Sequence, residues 1–188
     1  MDEPGGLVCP GFADRFDGHD GADQLVGGAG IDTADYSSSL AAVAVNLGAG
    51  TASGGNAQGD VFSGIENLTG SAYADTLIGN GGANQLEGGS GNDVMNGAAG
   101  HVLVGGSGDD RFVFGNATGN DRILDFAAGA GTADRIDFSG NATLGSFADI
   151  MSHTVQAGAD AVIDVGQSQH LTLLNVDRLS LHQDDFVF

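Results

Sequence analysis

Between Gly70 and Val113 a glycine-aspartate phrase returns at close to nine-residue spacing, in its fullest form as GGSGNDVMN (Gly88 to Asn96) and GGSGDDRFV (Gly105 to Val113). One copy is too short to bury an apolar face by itself, so copies must stack on one another. In the frame GGxGxDxUx, where U is apolar, position six falls at Asp14, Asp23 and Asp32 in a first block, with Phe16, Leu25 and Ala34 at position eight. A second block puts Asp75, Asn84, Asp93, His101 and Asp110 at position six and Leu77, Leu86, Met95, Leu103 and Phe112 at position eight. The His101 copy is one residue short, and a looser copy follows in which Gly119, Asp121 and Ile123 keep the GxDxU core.

Each letter of the phrase has a physical reason. Glycines let the first six residues turn through positive φ and bring carbonyl oxygens close together, while the last three residues form a strand. Side chains alternate on a strand, so only the position-eight residue points inward, and two copies make one 18-residue coil. Residues 18 apart then become vertical neighbours at about 4.8 Å. Asp14 and Asp32 have that separation, as do Asp75 and Asp93; Asp93 and Asp110 are 17 apart. Two carboxylates at about 5 Å repel by roughly 3 kcal/mol at an effective dielectric of 20. Together with turn carbonyls they offer the six or more oxygens that Ca2+ takes.

The pattern therefore predicts an all-β, right-handed parallel β-roll that binds several calcium ions. Asp14, Asp23, Asp32, Asp75, Asp93, Asp110 and Asp121 would supply carboxylates, and Gly28, Gly30, Gly89, Gly91, Gly106 and Gly108 would supply turn backbone. Asn84 and His101 make the second block's other edge poor in charge, with Asp121 out of step. Loading is expected to favour the edge of Asp75, Asp93 and Asp110.

Charge points the same way. The chain has 25 acidic and 5 basic side chains, a formal net charge of −20. That balance excludes nucleic acid as a partner and repels anionic membranes, and no apolar run approaches the roughly 18 residues of a membrane span. Divalent cations are the partner it invites. The hydrophobic fraction of 41% is too high for a solvated, disordered tail. Cys9 is the single cysteine, so no intrachain disulfide can form. MDEPGGLVCPGF has an acidic start and no apolar core, so it does not read as a cleavable secretory signal.

The expected organisation is a calcium-binding roll over 1–110 and a β-sandwich-like C-terminal cap over 111–188. Within the roll, nonapeptides occupy about 9–35 and 70–113, separated by a longer-coil insertion at 36–69. In that insertion Ile65, Leu68 and Leu77 should continue the inward column, with Glu66 facing outward. After Asp110 come three short aromatic-ended strands in RFVF, RILDF and RIDF, then a helix through Ser146 to Ser152. Two further strands, Ala161 to Val165 and Leu171 to Val176, flank a turn at Gly166 to Gln169. An open stack end exposes unpaired backbone, so a cap is required. The final DDFVF reads as an edge strand tucked into it.

GGSGND, GGSGDD, DRILDF, ADRIDFSG and DDFVF resemble the RTX family of bacterial proteins, and from Phe112 onward the chain looks like the C-terminal domain of serralysin-type metallopeptidases. The resemblance implies calcium in the turns of a β-roll. It also implies export to the extracellular medium by the type I secretion machinery of a Gram-negative bacterium, through an uncleaved signal at Asp185, Phe186, Val187 and Phe188. Serralysins need an H-E-x-x-H zinc helix. The five histidines here, at 19, 101, 153, 170 and 182, are scattered and none precedes Glu, and there is no G-x-S-x-G elbow. Asn84, His101 and Ala98 also depart from the family's repeat. The chain is thus expected to be non-catalytic as it stands, with any catalytic or adhesive domain upstream. Alternatives are a polysaccharide-binding or adhesin segment, for which Tyr36 and Tyr73 are the aromatic residues outside expected core positions, or the C-terminal fragment of a larger secreted hydrolase such as a serralysin.

Overall fold

The computed structural model describes residues 6–8, 11–96, 100–114, 119–131 and 134–188; Cys9 and Ala98 lie outside them. Among these described residues nineteen strands and one α-helix follow in chain order. The first block gives β1 (Gly6–Val8), β2 (Arg15–Phe16), β3 (Gln24–Val26) and β4 (Thr33–Asp35), and the insertion gives β5 (Ala44–Asn46), β6 (Thr51–Ser53), β7 (Val61–Ser63) and β8 (Asn67–Thr69). The second block gives β9 (Thr76–Ile78), β10 (Gln85–Ser90), β11 (Val94–Asn96), β12 (Val102–Ser107) and β13 (Arg111–Val113). Then come β14 (Asp121–Ile123), β15 (Arg135–Asp137), α1 (Phe147–His153), β16 (Thr154–Ala157), β17 (Asp160–Gly166), β18 (Gln169–Leu173) and β19 (Phe186–Val187).

These strands build a parallel β-roll. A nine-stranded sheet has the order β16-β17-β18-β14-β12-β10-β8-β4-β2; against it lie a seven-stranded sheet, β19-β15-β13-β11-β9-β5-β6, and a three-stranded sheet, β1-β3-β7. From β8 to β15 successive strands alternate between the nine- and seven-stranded sheets, so one coil is one strand in each. Every position-eight residue points inward. Phe16, Ala34, Leu68, Leu86, Leu103 and Ile123 form one buried column, in register from β2 to β14. Val45, Leu77, Met95, Phe112, Ile136 and Phe186 form the facing one.

The insertion does not form one wide coil. After β4 the chain crosses to the seven-stranded sheet as β5, doubles back antiparallel as β6, and returns through a 3-10 turn at Gly55–Ala57 to β7, which pairs with β3. Ile65, Leu68 and Leu77 are buried. Glu66 does not simply face outward: its Oε2 accepts the backbone N–H of Asp32 at 2.9 Å. Tyr36 is also displaced from its expected place, being fully buried with its hydroxyl donating to Asp60 Oδ2 at 2.8 Å.

Beyond 110 the coils continue, since β13 pairs with both β11 and β15, and β14 extends from β12. The boundary expected there falls inside the sheets. The late strands join the roll's own sheet: β18 pairs parallel with β14, then β17 and β16 add antiparallel. This change of direction ends the parallel ladder. Ser146 caps α1, its Oγ accepting the N–H of Asp149 at 3.2 Å. The terminal strand β19 pairs with β15, and Phe186 packs against Phe138, Phe147 and Phe188 at centroid distances of 6.3, 6.0 and 6.3 Å. Among the described residues no helix is long and apolar enough to cross a membrane.

Candidate metal centre along the roll edges

The turns that connect the sheets form two edges. Turns entering the nine-stranded sheet place Asp14, Asp32, Glu66, Asn84, His101 and Asp121 in one vertical line, each two residues before an inward apolar side chain. Turns leaving it carry Asp23 beside the three-stranded sheet, and Asp75, Asp93, Asp110 and Asp134 beside the seven-stranded one; Asp60, on the connection from β6 to β7, stands next to Asp23. The first-block aspartates therefore divide between the edges, and Asp14 and Asp32 share theirs with Asn84, His101 and Asp121.

Along each edge one carboxylate oxygen holds the neighbouring rung. Asp93 Oδ1 accepts the N–H of Asp75 at 2.7 Å, Asp110 Oδ1 that of Asp93 at 2.9 Å, and Asp134 Oδ1 that of Asp110 at 3.1 Å. Asp32 Oδ1 likewise accepts the N–H of Asp14 at 2.9 Å, Asp60 Oδ1 that of Asp23 at 2.8 Å, and Asp121 Oδ1 that of His101 at 2.7 Å. The second oxygen turns into the glycine turn. A Cβ on Gly70, Gly88 or Gly105 would overlap Oδ2 of Asp75, Asp93 or Asp110 respectively, and at Gly70 and Gly88 it would also meet the carbonyl oxygen of the next rung's first glycine, at 2.5 and 2.6 Å.

Gly28, Gly30, Gly89, Gly91, Gly106 and Gly108 all have positive φ. At Gly91 the requirement is strict, because a side chain would meet the backbone carbon of Tyr73 at 2.5 Å. Successive turns are thus packed backbone against backbone.

The donor set fits a hard cation. Asp32 Oδ2 and Asp93 Oδ2 are buried without a hydrogen-bond partner among the described residues, and an unpaired buried carboxylate oxygen is costly unless a counter-charge meets it. No three acidic, histidine or cysteine side chains converge among the described residues. One or two carboxylates and turn carbonyls would therefore hold each ion, an all-oxygen set suited to Ca2+.

Burial pushes the Asp93 carboxyl up to about 7, helped by the charges of Asp110 and Asp75 and opposed by the Asp75 N–H. Burial likewise pushes Asp110 up to about 6, and it raises Asp121 and Asp134. A carboxyl raised above its ordinary 3.8 binds its proton more tightly in the folded chain, so its contribution is present at low pH and lost as pH rises through the folded value. In EDTA the little β-structure that remains, read by far-UV circular dichroism, should be greater at pH 5 than at pH 7.5. With saturating calcium the folded chain should instead melt at a lower temperature at pH 5 than at pH 7.5, because protons compete with the ion. Identical metal-free spectra at the two pH values, together with identical calcium-loaded melting temperatures, would refute the assignment.

The rung at Asn84 and His101 has the opposite polarity. His101 Nδ1 accepts the N–H of Asn84 at 3.1 Å, which leaves the ring proton on Nε2. Burial lowers the His101 pKa and keeps the ring neutral. A Cβ on Gly79 would meet this Nε2 at 2.8 Å, alongside Asn84 Oδ1. An N–H donor therefore stands where the cradles of Gly70 and Gly88 have a glycine carbonyl oxygen, and the uncharged Asn84 Oδ1 takes the place of the carboxylate oxygen.

Sequence reasoning missed Asp60, Glu66 and Asp134. Each lies two residues before an inward residue of its strand, Phe62, Leu68 or Ile136, but without the glycine frame. The acid-x-apolar triplet alone was the available signal.

Residues 11–34 and 60–101 match the model of the RTX calcium-binding nonapeptide repeat, in four copies. No curated protein matches the chain. Among solved structures 33 chains match, including the extracellular lipase LipA from Serratia marcescens, at 18% identity and a TM-score of 0.45. That match covers 100% of this chain and 39% of the lipase, so the chain spans well under half of the lipase's length. The acid-lined turns of this roll are, over those two segments, RTX calcium-binding nonapeptide repeats.

Proposed function

We propose that the chain is a calcium-dependent folding and type I secretion module of an extracellular protein from a Gram-negative bacterium, non-catalytic as it stands. The observation that carries this reading is the buried, unpartnered Oδ2 of Asp93, set in a glycine cradle; the cradle recurs at Asp75 and Asp110, although Asp75 Oδ2 also accepts the Ser71 N–H at 2.5 Å. Asp75, Asp93, Asp110 and Asp134 would hold ions on the edge leaving the nine-stranded sheet, with Asp23 and Asp60 further along it. Asp14, Asp32 and Asp121 would contribute on the other edge. Bound calcium supplies the positive charge that lets stacked carboxylates approach.

In a cytosol poor in calcium, the net charge of −20 keeps the chain expanded enough to thread a channel. Extracellular modules bind calcium at about 0.1–1 mM, so folding follows export. The terminal Asp185, Phe186, Val187 and Phe188 fit both sides of this cycle. Folded, they form β19 and its aromatic contacts; unfolded, they are free for the secretion machinery. A serralysin-like kinship of the C-terminal part and a catalytic or adhesive domain upstream belong to the same proposal. The polysaccharide-binding alternative loses support, because Tyr36 is buried and Tyr73 is the exposed tyrosine that remains.

Isothermal titration calorimetry of the whole chain with calcium chloride tests the reading. We expect several ions per chain, and more in the double variant Asn84→Asp, His101→Asp, which replaces an N–H donor by a carboxylate on a poor rung. No binding heat in the wild type would overturn the function. An unchanged count in the double variant would refute the weakness of that rung.

A further inference from the structure

We propose a modification site in the turn of residues 79–84: the side-chain amide of Asn80 is converted to a carboxylate by attack of the chain's own backbone, with Asn84 stabilising the reacting oxygen. Asn80 is followed by Gly81, which is exposed and on which an added Cβ would meet nothing within 4 Å. The Gly81 nitrogen is therefore unshielded, and it has no hydrogen-bond partner among the described residues. It is free to act as a nucleophile.

The Asn80 side chain is folded over that nitrogen. Its Oδ1 accepts the N–H of Gly82, two residues on, at 2.8 Å, which closes a turn around the Gly81 nitrogen. Asn84 Nδ2 donates to the same oxygen at 3.2 Å, and Asn84 Oδ1 accepts the Asn80 N–H at 2.8 Å. Two N–H groups thus aim at the oxygen that becomes negative when Asn80 Cγ turns tetrahedral, the arrangement that stabilises such an intermediate. Asn80 Nδ2, the leaving group, has the Ile65 carbonyl oxygen at 3.5 Å, a long contact that restrains it little.

In the reaction the Gly81 nitrogen bonds to Asn80 Cγ and the Cγ–Nδ2 bond breaks. The proton of the Gly81 nitrogen passes through solvent to Nδ2, which leaves as ammonia. Water then opens the cyclic imide, at the Cγ carbonyl to give aspartate or at the main-chain carbonyl of residue 80 to give isoaspartate. Nothing is oxidised or reduced.

This chemistry gives position six of the turn a task that aspartate could not perform. An aspartate at 84 would keep an acceptor for the Asn80 N–H, as Asp75 Oδ2 is for the Ser71 N–H, but it has no N–H to donate. The product places a carboxylate on the rung whose position-six residues, Asn84 and His101, carry none. Isoaspartate also lengthens the backbone of the turn, so both charge and turn geometry change as the protein ages.

Peptide mapping by mass spectrometry of the whole chain, held in weakly alkaline buffer with calcium, tests the site and separates residue 80 from the other Asn-Gly pair, Asn96-Gly97. Aspartate and isoaspartate should accumulate at residue 80 well ahead of residue 141. Asn141 is the internal standard, because its Oδ1 also accepts two N–H groups, from Thr143 at 2.8 Å and Leu144 at 3.1 Å, but Ala142 follows it. Gly81→Ala should bring residue 80 down to the rate of residue 141 without altering the far-UV circular dichroism. Asn84→Asp should slow the reaction roughly two- to tenfold, the worth of one hydrogen bond. Gly81→Ala carries the test if Asn84→Asp does not fold. Residue 80 reacting no faster than residue 141 in the wild type, an undiminished rate in Gly81→Ala, or a folded Asn84→Asp variant reacting at the wild-type rate would each overturn the proposal.

Discussion

Stripped of calcium, the chain is expected to give a far-UV circular dichroism spectrum dominated by unordered backbone, and to convert cooperatively to β-structure as calcium rises to about 0.1–1 mM. The core explains why the metal-free roll cannot hold. Each nonapeptide buries one position-eight side chain, Leu86, Met95 or Leu103 in successive copies, against the ordering entropy of nine residues of backbone. Each rung also sets a carboxylate above another, as Asp93 stands between Asp75 and Asp110. Neutralising those charges converts a repulsive line into a ladder. Cooperativity follows because Asp93 serves the rung on either side, so one bound ion preorganises the next.

Magnesium at the same concentration should leave the spectrum unmoved. It demands near-octahedral geometry at 2.0–2.1 Å and gives up its waters reluctantly, whereas this edge offers stacked carbonyls with few carboxylates. A spectrum already rich in β-structure in EDTA and unmoved by calcium would refute ion-gated folding and leave the repeats as a metal-independent scaffold.

The parts of this molecule legible in the sequence are those where one residue performs one local task. Position eight was readable because a strand must alternate, and Phe16, Leu25, Leu77 and Phe112 are all buried. The pairing of Asp14 with Asp32 and of Asp75 with Asp93 follows from two nonapeptides per coil. Non-local closures were not readable. Glu66 joins its ladder only because β7 returns to pair with β3 after an excursion through β5 and β6, and no spacing rule encodes that return. Tyr36 is buried because the same excursion brings Asp60 against its hydroxyl. The cap expected as a separate sandwich merges with the roll because β18 finds a free parallel partner in β14. In each case the deciding contact spans an insertion whose length carries no period.

Gly88→Ala should have the most selective large effect of any single substitution in the second block. Gly88 lies in β10 with a φ outside the left-handed region, so alanine meets no backbone penalty there. Its Cβ would overlap Asp93 Oδ2 and approach the Gly105 carbonyl oxygen to 2.6 Å, the oxygens expected to take the ion. Overfilling a packed site costs on the order of 1–3 kcal/mol. Here that cost should appear as weakened calcium binding, with one ion fewer per chain and a calcium midpoint raised roughly fivefold or more, since each 1.4 kcal/mol is tenfold. The metal-free spectrum should not change, because the unfolded chain has no cradle to fill. Gly81→Ala is the matched control: Gly81 is exposed and an added Cβ meets nothing within 4 Å. If Gly88→Ala keeps the wild-type ion count and midpoint, the glycine cradle is only a product of close packing, and the carboxylate ladder must hold calcium on some other face.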